Sequence, residues 1–276
     1  MVLLNRLPRV LLFGAVAVYL LLPVAAVLLY SLATTWTTNL LPDGFTLASW
    51  ANAARDPRML AAIGRTLALA LAVLALDMLL VVPACFWQRT RNPRVRPLVE
   101  LCAAIPFVLP FVVIAYGILR VGGWATPGLL GTPLLLLLGH AAIAFPFLYW
   151  AVDGAMAAED VAMLDEAAAT CGASPLQTLL LVVLPAIGPG MASGAMLVFA
   201  TSFGEFALVQ ILAGARFETV SLYGFDLLVR TSADFGALAV LTAVSFLVVG
   251  LVAVAAVRIG GGMDARSGAA AGVTTR

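Results

Sequence analysis

Apolar residues run almost unbroken through six stretches of this chain, roughly 10–32, 60–86, 98–119, 133–156, 188–212 and 235–257. Crossing a bilayer as a helix takes about 20 mainly apolar residues, so each stretch predicts a membrane span. Between them lie segments rich in Pro, Gly and charge, as loops are: Leu41-Pro42-Asp43-Gly44, Asn92-Pro93, Gly122-Gly123 and Gly188-Pro189-Gly190. The first run follows Arg6 and Arg9 as a signal peptide would, but its length exceeds the 7–15 apolar residues of a signal core. It is therefore read as a first span with Pro23 inside it. Residues 217–232 are amphipathic and too short to span, which suggests an interfacial or re-entrant piece on the outer side. The expected fold is all-α: a polytopic membrane protein of six transmembrane helices. Its expected divisions are 1–59 (first helix and external loop), 60–257 (the core) and 258–276, a Gly-, Ala- and Ser-rich tail expected to be disordered.

Composition supports a membrane protein. Of the 276 residues 63% are hydrophobic and only 11% charged, against about a quarter charged in soluble domains. The net charge of +1 points to no nucleic-acid partner. All 15 basic residues are Arg. A phosphate-binding P-loop needs a Lys, so this chain cannot supply one, and any ATP that drives it is hydrolysed on another polypeptide. Placing the N-terminus inside puts Arg6, Arg9, Arg89, Arg91, Arg94, Arg96, Arg258, Arg266 and Arg276 on the inner side. Arg55, Arg58, Arg65, Arg120, Arg216 and Arg230 fall outside. The compact loop 88–97, with four Arg and no acid, sets this orientation by the positive-inside rule. Both termini and the segment 157–187 are then cytoplasmic.

That segment has helix grammar of its own. Asp160 is placed to cap a helix over about 161–171, Gly172 to stop it in a left-handed turn, and Ser174-Pro175 to start a second helix that Pro185 closes. The result is an elbow projecting from the membrane. Ala167, Ala168 and Ala169 make its surface slim enough to enter a groove. Glu159, Asp160, Asp165 and Glu166 make it acidic and suited to basic groups on a partner.

Written as a pattern, Glu166-Ala167-Ala168, Gly172, Val182, Leu184 and Pro185 read E-A-A-x3-G-x9-V-x-L-P. This resembles the cytoplasmic loop of binding-protein-dependent ABC importer permeases of the methionine-, polyamine- and maltose-importer type, with Val182 in place of the commoner Ile. The resemblance covers roughly 60–257. It implies that Asp165, Glu166, Ala167, Ala168, Gly172, Leu184 and Pro185 form the site that couples the chain to an ATPase. It further implies two permease subunits, the second a different chain, an ATPase dimer that binds ATP and Mg, an external solute-binding protein, and alternating access in a bacterial inner membrane. No cofactor or metal is expected in this chain itself. A second phrase, Ser202-Phe203-Gly204-Glu205-Phe206, with Phe217-Glu218-Thr219 and Ser221-Leu222, resembles permeases for polyamines, phosphonates, ferric iron and thiamine. It favours a small polar or ionic solute of polyamine or phosphonate type. The alternative is a stand-alone secondary transporter or channel, for which the elbow has no obvious use.

Two acids within the spans stand out, Asp77 and Glu205. An acid at a helix centre costs roughly 2.5–3.5 kcal/mol on insertion scales, so it usually faces a cavity or a partner. Asp77, Ser202 and Glu205 are therefore candidates for the solute pathway. The other reading of Glu205 is a bond to Ser202, Thr201 or a backbone amide near Gly204. Neither acid fixes the sign of the solute's charge. Cys85, Cys102 and Cys171 lack metal-ligand spacing and read as packing residues. His140, the only histidine, cannot alone make a zinc site and reads as a buried, hydrogen-bonded side chain. Pro106, Pro110, Pro146, Gly117 and Gly204 lie inside spans, where they loosen a helix. A membrane enzyme is disfavoured: there is neither a G-x-S-x-G nor an H-E-x-x-H.

Overall fold

The computed structural model describes the backbone of residues 7–36, 39–229 and 234–271, and the side chains of residues 11–258 within those ranges. Helices dominate: α1 Leu7–Ser31, α2 Ala48–Ala53, α3 Pro57–Thr90, α4 Arg96–Val108, α5 Phe111–Ala125, α6 Pro133–Ala158, α7 Val161–Thr170, α8 Pro175–Thr178, α9 Leu184–Ala186, α10 Gly188–Gly204, α11 Ala207–Leu212, α12 Val220–Val229 and α13 Phe235–Ala271. Among the described residues α1, α3, α6 and α13 are long and apolar enough to cross a membrane. The total reaches six if each of two bent helix pairs counts as one span. The protein is thus all-α and polytopic.

Two of the expected spans are broken, at Pro110 and at Gly204, both among the residues expected to loosen a helix. The third expected span, 98–119, is α4 and α5 meeting at 109° across Leu109-Pro110. The Pro110 ring disfavours helical backbone in the residue before it, and Leu109 is extended at φ −97°, ψ 133°. The fifth, 188–212, ends as a helix at Gly204, passes through extended Glu205 and restarts as α11. The segment 175–186 meets α10 at 82°. Gly188-Pro189-Gly190, expected as a loop, is instead the first turn of α10. The last helix continues through Gly260-Gly261-Gly262 to Ala271, where a structureless tail was expected. Adding residues to an existing helix is far cheaper than nucleating one, and Met263, Ala265, Arg266 and Ala269–Ala271 are good helix formers. The remainder of that tail, 272–276, lies outside the described residues. So do 230–233, the end of the amphipathic piece whose helix is α12.

Two compact units are distinguished, Met1–Ala62 with Tyr223–Val248, and Ile63–Leu222 with Val249–Arg276. In the first, Asp56 starts α3: its carboxylate accepts the N–H of Arg58 (2.8 Å) and of Met59 (3.3 Å). The Tyr223 hydroxyl also donates to Asp56 and holds its carboxyl below the usual range. Arg58 pairs with Asp226 at 2.8 Å and lies over the Tyr223 ring.

The second unit holds the main apolar core, built around α6, the most buried of the long helices. Thr132 accepts from the Leu135 N–H to cap α6, and Pro133 occupies its first turn. The helix α10 lies close against α6 because small residues face each other. A Cβ added at Gly190 would lie 2.5 Å from Ala155 Cβ, and one at Gly194 would lie 2.9 Å from Ala151 Cβ. Gly190 and Gly194 on α10, and Ala151 and Ala155 on α6, form two four-residue repeats of small side chains. Such repeats let membrane helices approach closely.

Candidate functional site

The elbow folds as the local sequence requires. Helix α7 runs Val161–Thr170 and ends in a left-handed Gly172 at φ +80°. The Ala173 N–H donates to Ala168 O (3.1 Å) and the Gly172 N–H to Ala169 O (3.0 Å). These two bonds close a Schellman turn and satisfy carbonyls that a helix end leaves free. Ser174 then starts α8 with a reciprocal box: its Oγ accepts the Gln177 N–H, and the Gln177 side chain accepts the Ser174 N–H. Pro175 stands at the first helical position. Gln177 was not singled out from the sequence, although S-x-x-Q is a readable capping signal.

Two local expectations need correction. Asp160 does stand at the N-terminus of α7, but it makes no side-chain cap there. It is left-handed at φ 43°, ψ 58°, and contributes its backbone carbonyl to the Leu164 N–H. Pro185 does not close its segment. The helical path continues through a π-turn at Leu179–Val183 and through α9, and bends at Ile187. A proline lacks an N–H and its ring crowds the carbonyl four residues back; widening the preceding turn relieves that crowding.

The faces of α7 separate its candidate residues. Val161 and Asp165 are buried, with Leu164 and Ala168 half-buried. Ala162, Met163, Glu166, Ala167, Ala169 and Thr170 are exposed, as are Gly172 and Leu176 beyond. Glu166 and Ala167 therefore stand on an open face. Asp165 does not: its carboxylate pairs inside the chain with Arg91 at 2.9 Å, and its side chain is 6% exposed. The expectation that Asp165 belongs to an acidic surface for a partner is corrected, because its register points it the other way. Leu184 is half-buried against the core and Pro185 is exposed.

A second ionic group borders the elbow. Asp153, buried near the C-terminal end of α6, accepts from Arg89 Nε at 2.7 Å and lies 3.5 Å from Arg96. The Gln88 amide reaches both Tyr149 (3.2 Å) and Asp153 (3.5 Å). Arg96 also pairs with Glu100 at 2.8 Å. Asp153 and Glu100 are two further acids within the expected spans, and the sequence reading singled out neither. For Asp153 the available signal was its place at the end of an otherwise apolar run.

The three pathway candidates are not brought together. Glu205 is buried, and its carboxylate accepts the N–H groups of Ala207 (2.9 Å) and Leu208 (2.8 Å), capping α11. This is the backbone-bonded alternative, with the amides three and four residues beyond Gly204. Glu205 also borders an open groove of about 480 Å³ lined by Phe111, Val112, Ala200, Thr201 and Phe206. His140 is buried, as expected, with Nδ1 2.9 Å from Leu136 O. Its Nε2 faces Glu205 at 3.9 Å, beyond hydrogen-bond reach. The Ser202 hydroxyl is buried without a partner. Asp77 lies elsewhere, on an apolar cavity of about 440 Å³ between α3, α4 and α6, lined also by Val81, Cys85, Phe145 and Tyr149. One of its carboxylate oxygens has no partner. Leaving a buried polar group unsatisfied costs roughly 1–3 kcal/mol. Asp77→Leu should therefore raise the melting temperature of the detergent-purified protein; a fall would show that the carboxylate is stabilising. Cys85 is buried, Cys102 and Cys171 exposed, and all three are free.

Residues 81–260 match the model of the binding-protein-dependent transport system inner membrane component family. Relatives include the molybdenum transport system permease protein ModB of Azotobacter vinelandii, 30% identical over 181 residues (60% of this chain, 80% of that protein). The putative 2-aminoethylphosphonate permease protein PhnV of Salmonella typhimurium is 27% identical over 220 residues (80% and 82%). The spermidine/putrescine permease protein PotB of Haemophilus influenzae is 24% identical over 227 residues (77% and 79%). Among solved structures, an inward-facing MetNI methionine ABC transporter shares the fold, with a TM-score of 0.61 at 18% identity over 75% of this chain and 96% of the other. The chain belongs to the binding-protein-dependent transport system inner membrane component family and is a multi-pass permease subunit of an ABC importer.

Proposed function

We propose that this permease works with two ATPase subunits that grip the exposed face of α7, a second and different permease chain, and an external solute-binding protein. ATP and Mg belong to the ATPase, and both chain termini and the elbow face the cytoplasm. The observation that carries this reading is the two-faced elbow. Glu166, Ala167, Ala169 and Thr170 form a slim open surface, and the opposite face is anchored to the rest of the unit. A carrier working alone has no use for such a surface.

The solute route is proposed along the groove at Glu205. Both helix breaks, 109–110 and 205–206, border it, since Phe111 and Val112 begin α5 and Gly204–Ala207 span the second break. Irregular backbone at membrane depth is tolerated where it lines a cavity. Ser202 is near this break in sequence, whereas Asp77 belongs to a separate cavity and is the weaker candidate. Relatives named for molybdenum, 2-aminoethylphosphonate and spermidine/putrescine transport favour a small polar or ionic solute, with the polyamine or phosphonate type first. Because Glu205 is already occupied in capping α11, its charge does not select a cation.

Purification of the tagged chain in mild detergent, followed by mass spectrometry, tests the assembly. A P-loop ATPase recovered with the wild type and lost with Glu166→Arg supports the docking face. A chain that purifies without any ATPase overturns the docking reading of α7.

A further inference from the structure

Helix α7 has a charged residue at a position its periodicity reserves for apolar ones. Val161, Leu164, Asp165 and Ala168 repeat at the three- and four-residue spacing of one helix face, and that face is packed. A carboxylate there is tolerated only with a partner, and Arg91 supplies it at 2.9 Å. Arg91 stands one residue beyond the end of α3, in the loop that leads to α4. The two helices this loop joins hold α6 through Arg89 of α3 and Arg96 of α4, both on Asp153.

From this arrangement we propose that Arg91 and Asp165 are positioning residues of the transport cycle. They form a strut that ties the coupling helix α7 to the α3–α4 loop, separately from its chain connection to α6. The proposal rests on the reading of α7 as the ATPase-docking helix and adds the route by which its movement reaches the membrane helices. The chain connection alone is a poor lever. Between α6 and α7 stand only Glu159 and Asp160, and the left-handed Asp160 at φ 43° ends one helix before the next begins, so α7 is not a continuous extension of α6. The strut gives α7 a second tie. A displacement of α7 then acts on the end of α3 and, through Pro93–Val95 and Arg96, on the start of α4. The far end of α4 is the break at Leu109-Pro110, and α5 beyond it lines the groove at Glu205. The Arg-rich loop thus has a mechanical use beyond setting membrane orientation.

The test is a charge exchange in the assembled transporter reconstituted into proteoliposomes, reading solute moved and ATP hydrolysed in the same vesicles. Arg91→Asp and Asp165→Arg should each lower the solute moved per ATP by at least about fivefold, the lower end of usual coupling factors. ATPase binding should persist, because neither residue lies on the docking face. The double exchange should restore the ratio to within about twofold of wild type, since the pair's coupling, not either residue, carries the effect. Asp165→Asn, which keeps the side-chain shape, guards against loss by misfolding and should lower the ratio without lowering the yield of assembled complex. Three results would overturn the strut: an unchanged ratio in the single exchanges, no recovery in the double exchange, or a fall in yield that tracks the loss in every variant. If the wild type itself binds no ATPase, the docking reading fails and the strut falls with it.

Discussion

Gly172→Pro should abolish solute uptake while leaving the chain inserted in the membrane. Gly172 has φ +80°, and a proline ring holds φ near −65°. The substitution also deletes the Gly172 N–H that donates to Ala169 O. The turn that fixes α8 relative to α7 is then lost, at a cost of about 3 kcal/mol or more. Gly172→Ala separates backbone strain from steric clash, because nothing lies within 4 Å of an added Cβ. It should cost about 1–2 kcal/mol, the price of left-handed backbone in an L-residue, and keep most of the uptake. Transport assays on membranes with matched expression decide it. Wild-type uptake by the proline variant would mean that the elbow is not needed for coupling.

The second large effect lies in the contact of α10 with α6. Gly190→Val and Gly194→Val should each reduce the yield of monodisperse protein severely, as read by fluorescence-detected size exclusion. An added Cβ at Gly190 meets Ala155 Cβ at 2.5 Å and Ala151 O at 3.3 Å; at Gly194 it meets Ala151 Cβ at 2.9 Å and Leu148 Cα at 3.3 Å. Backbone and Cβ atoms cannot rotate out of the way, so the helices must part. Overpacking usually costs about 1–3 kcal/mol where side chains can yield, and a rigid obstacle sets that as a lower bound. Gly154→Ala and Gly204→Ala should leave the yield unchanged, since nothing lies within 4 Å of a Cβ at either position. Equal yields for all four variants would remove the close helix contact as a requirement of the fold.

Much of the elbow was legible locally. Gly172, Ser174 and Pro175 act within four residues of themselves, through hydrogen bonds that sequence spacing dictates. The family pattern over 166–185 was legible for the same reason, since its spacing lies along one continuous stretch of chain. The faces of α7 were less so. Asp165 and Glu166 are adjacent acids of equal polarity, and a composition argument treats them alike. A rotation of about 100° per residue turns one inward to Arg91 and leaves the other outside. Finding that from the sequence needed the apolar register of Val161, Leu164 and Ala168 read against the basic groups of a distant loop.

The sequence by itself determined that the chain crosses a membrane several times, that it contains no P-loop, and that an elbow of two short helices follows the fourth span. These follow from hydropathy over about 20 residues, from the absence of Lys, and from local capping rules. Tertiary structure alone decided the break at Glu205 and what its carboxylate does there, the separation of Asp77 from Glu205, the Gly190 and Gly194 contact with α6, and the pairing of Asp165 with Arg91. Each of these depends on which side chain another segment brings within a few ångströms. Hydropathy places a helix in the bilayer but is blind to its rotation about its own axis, and it is that rotation which selects the partners.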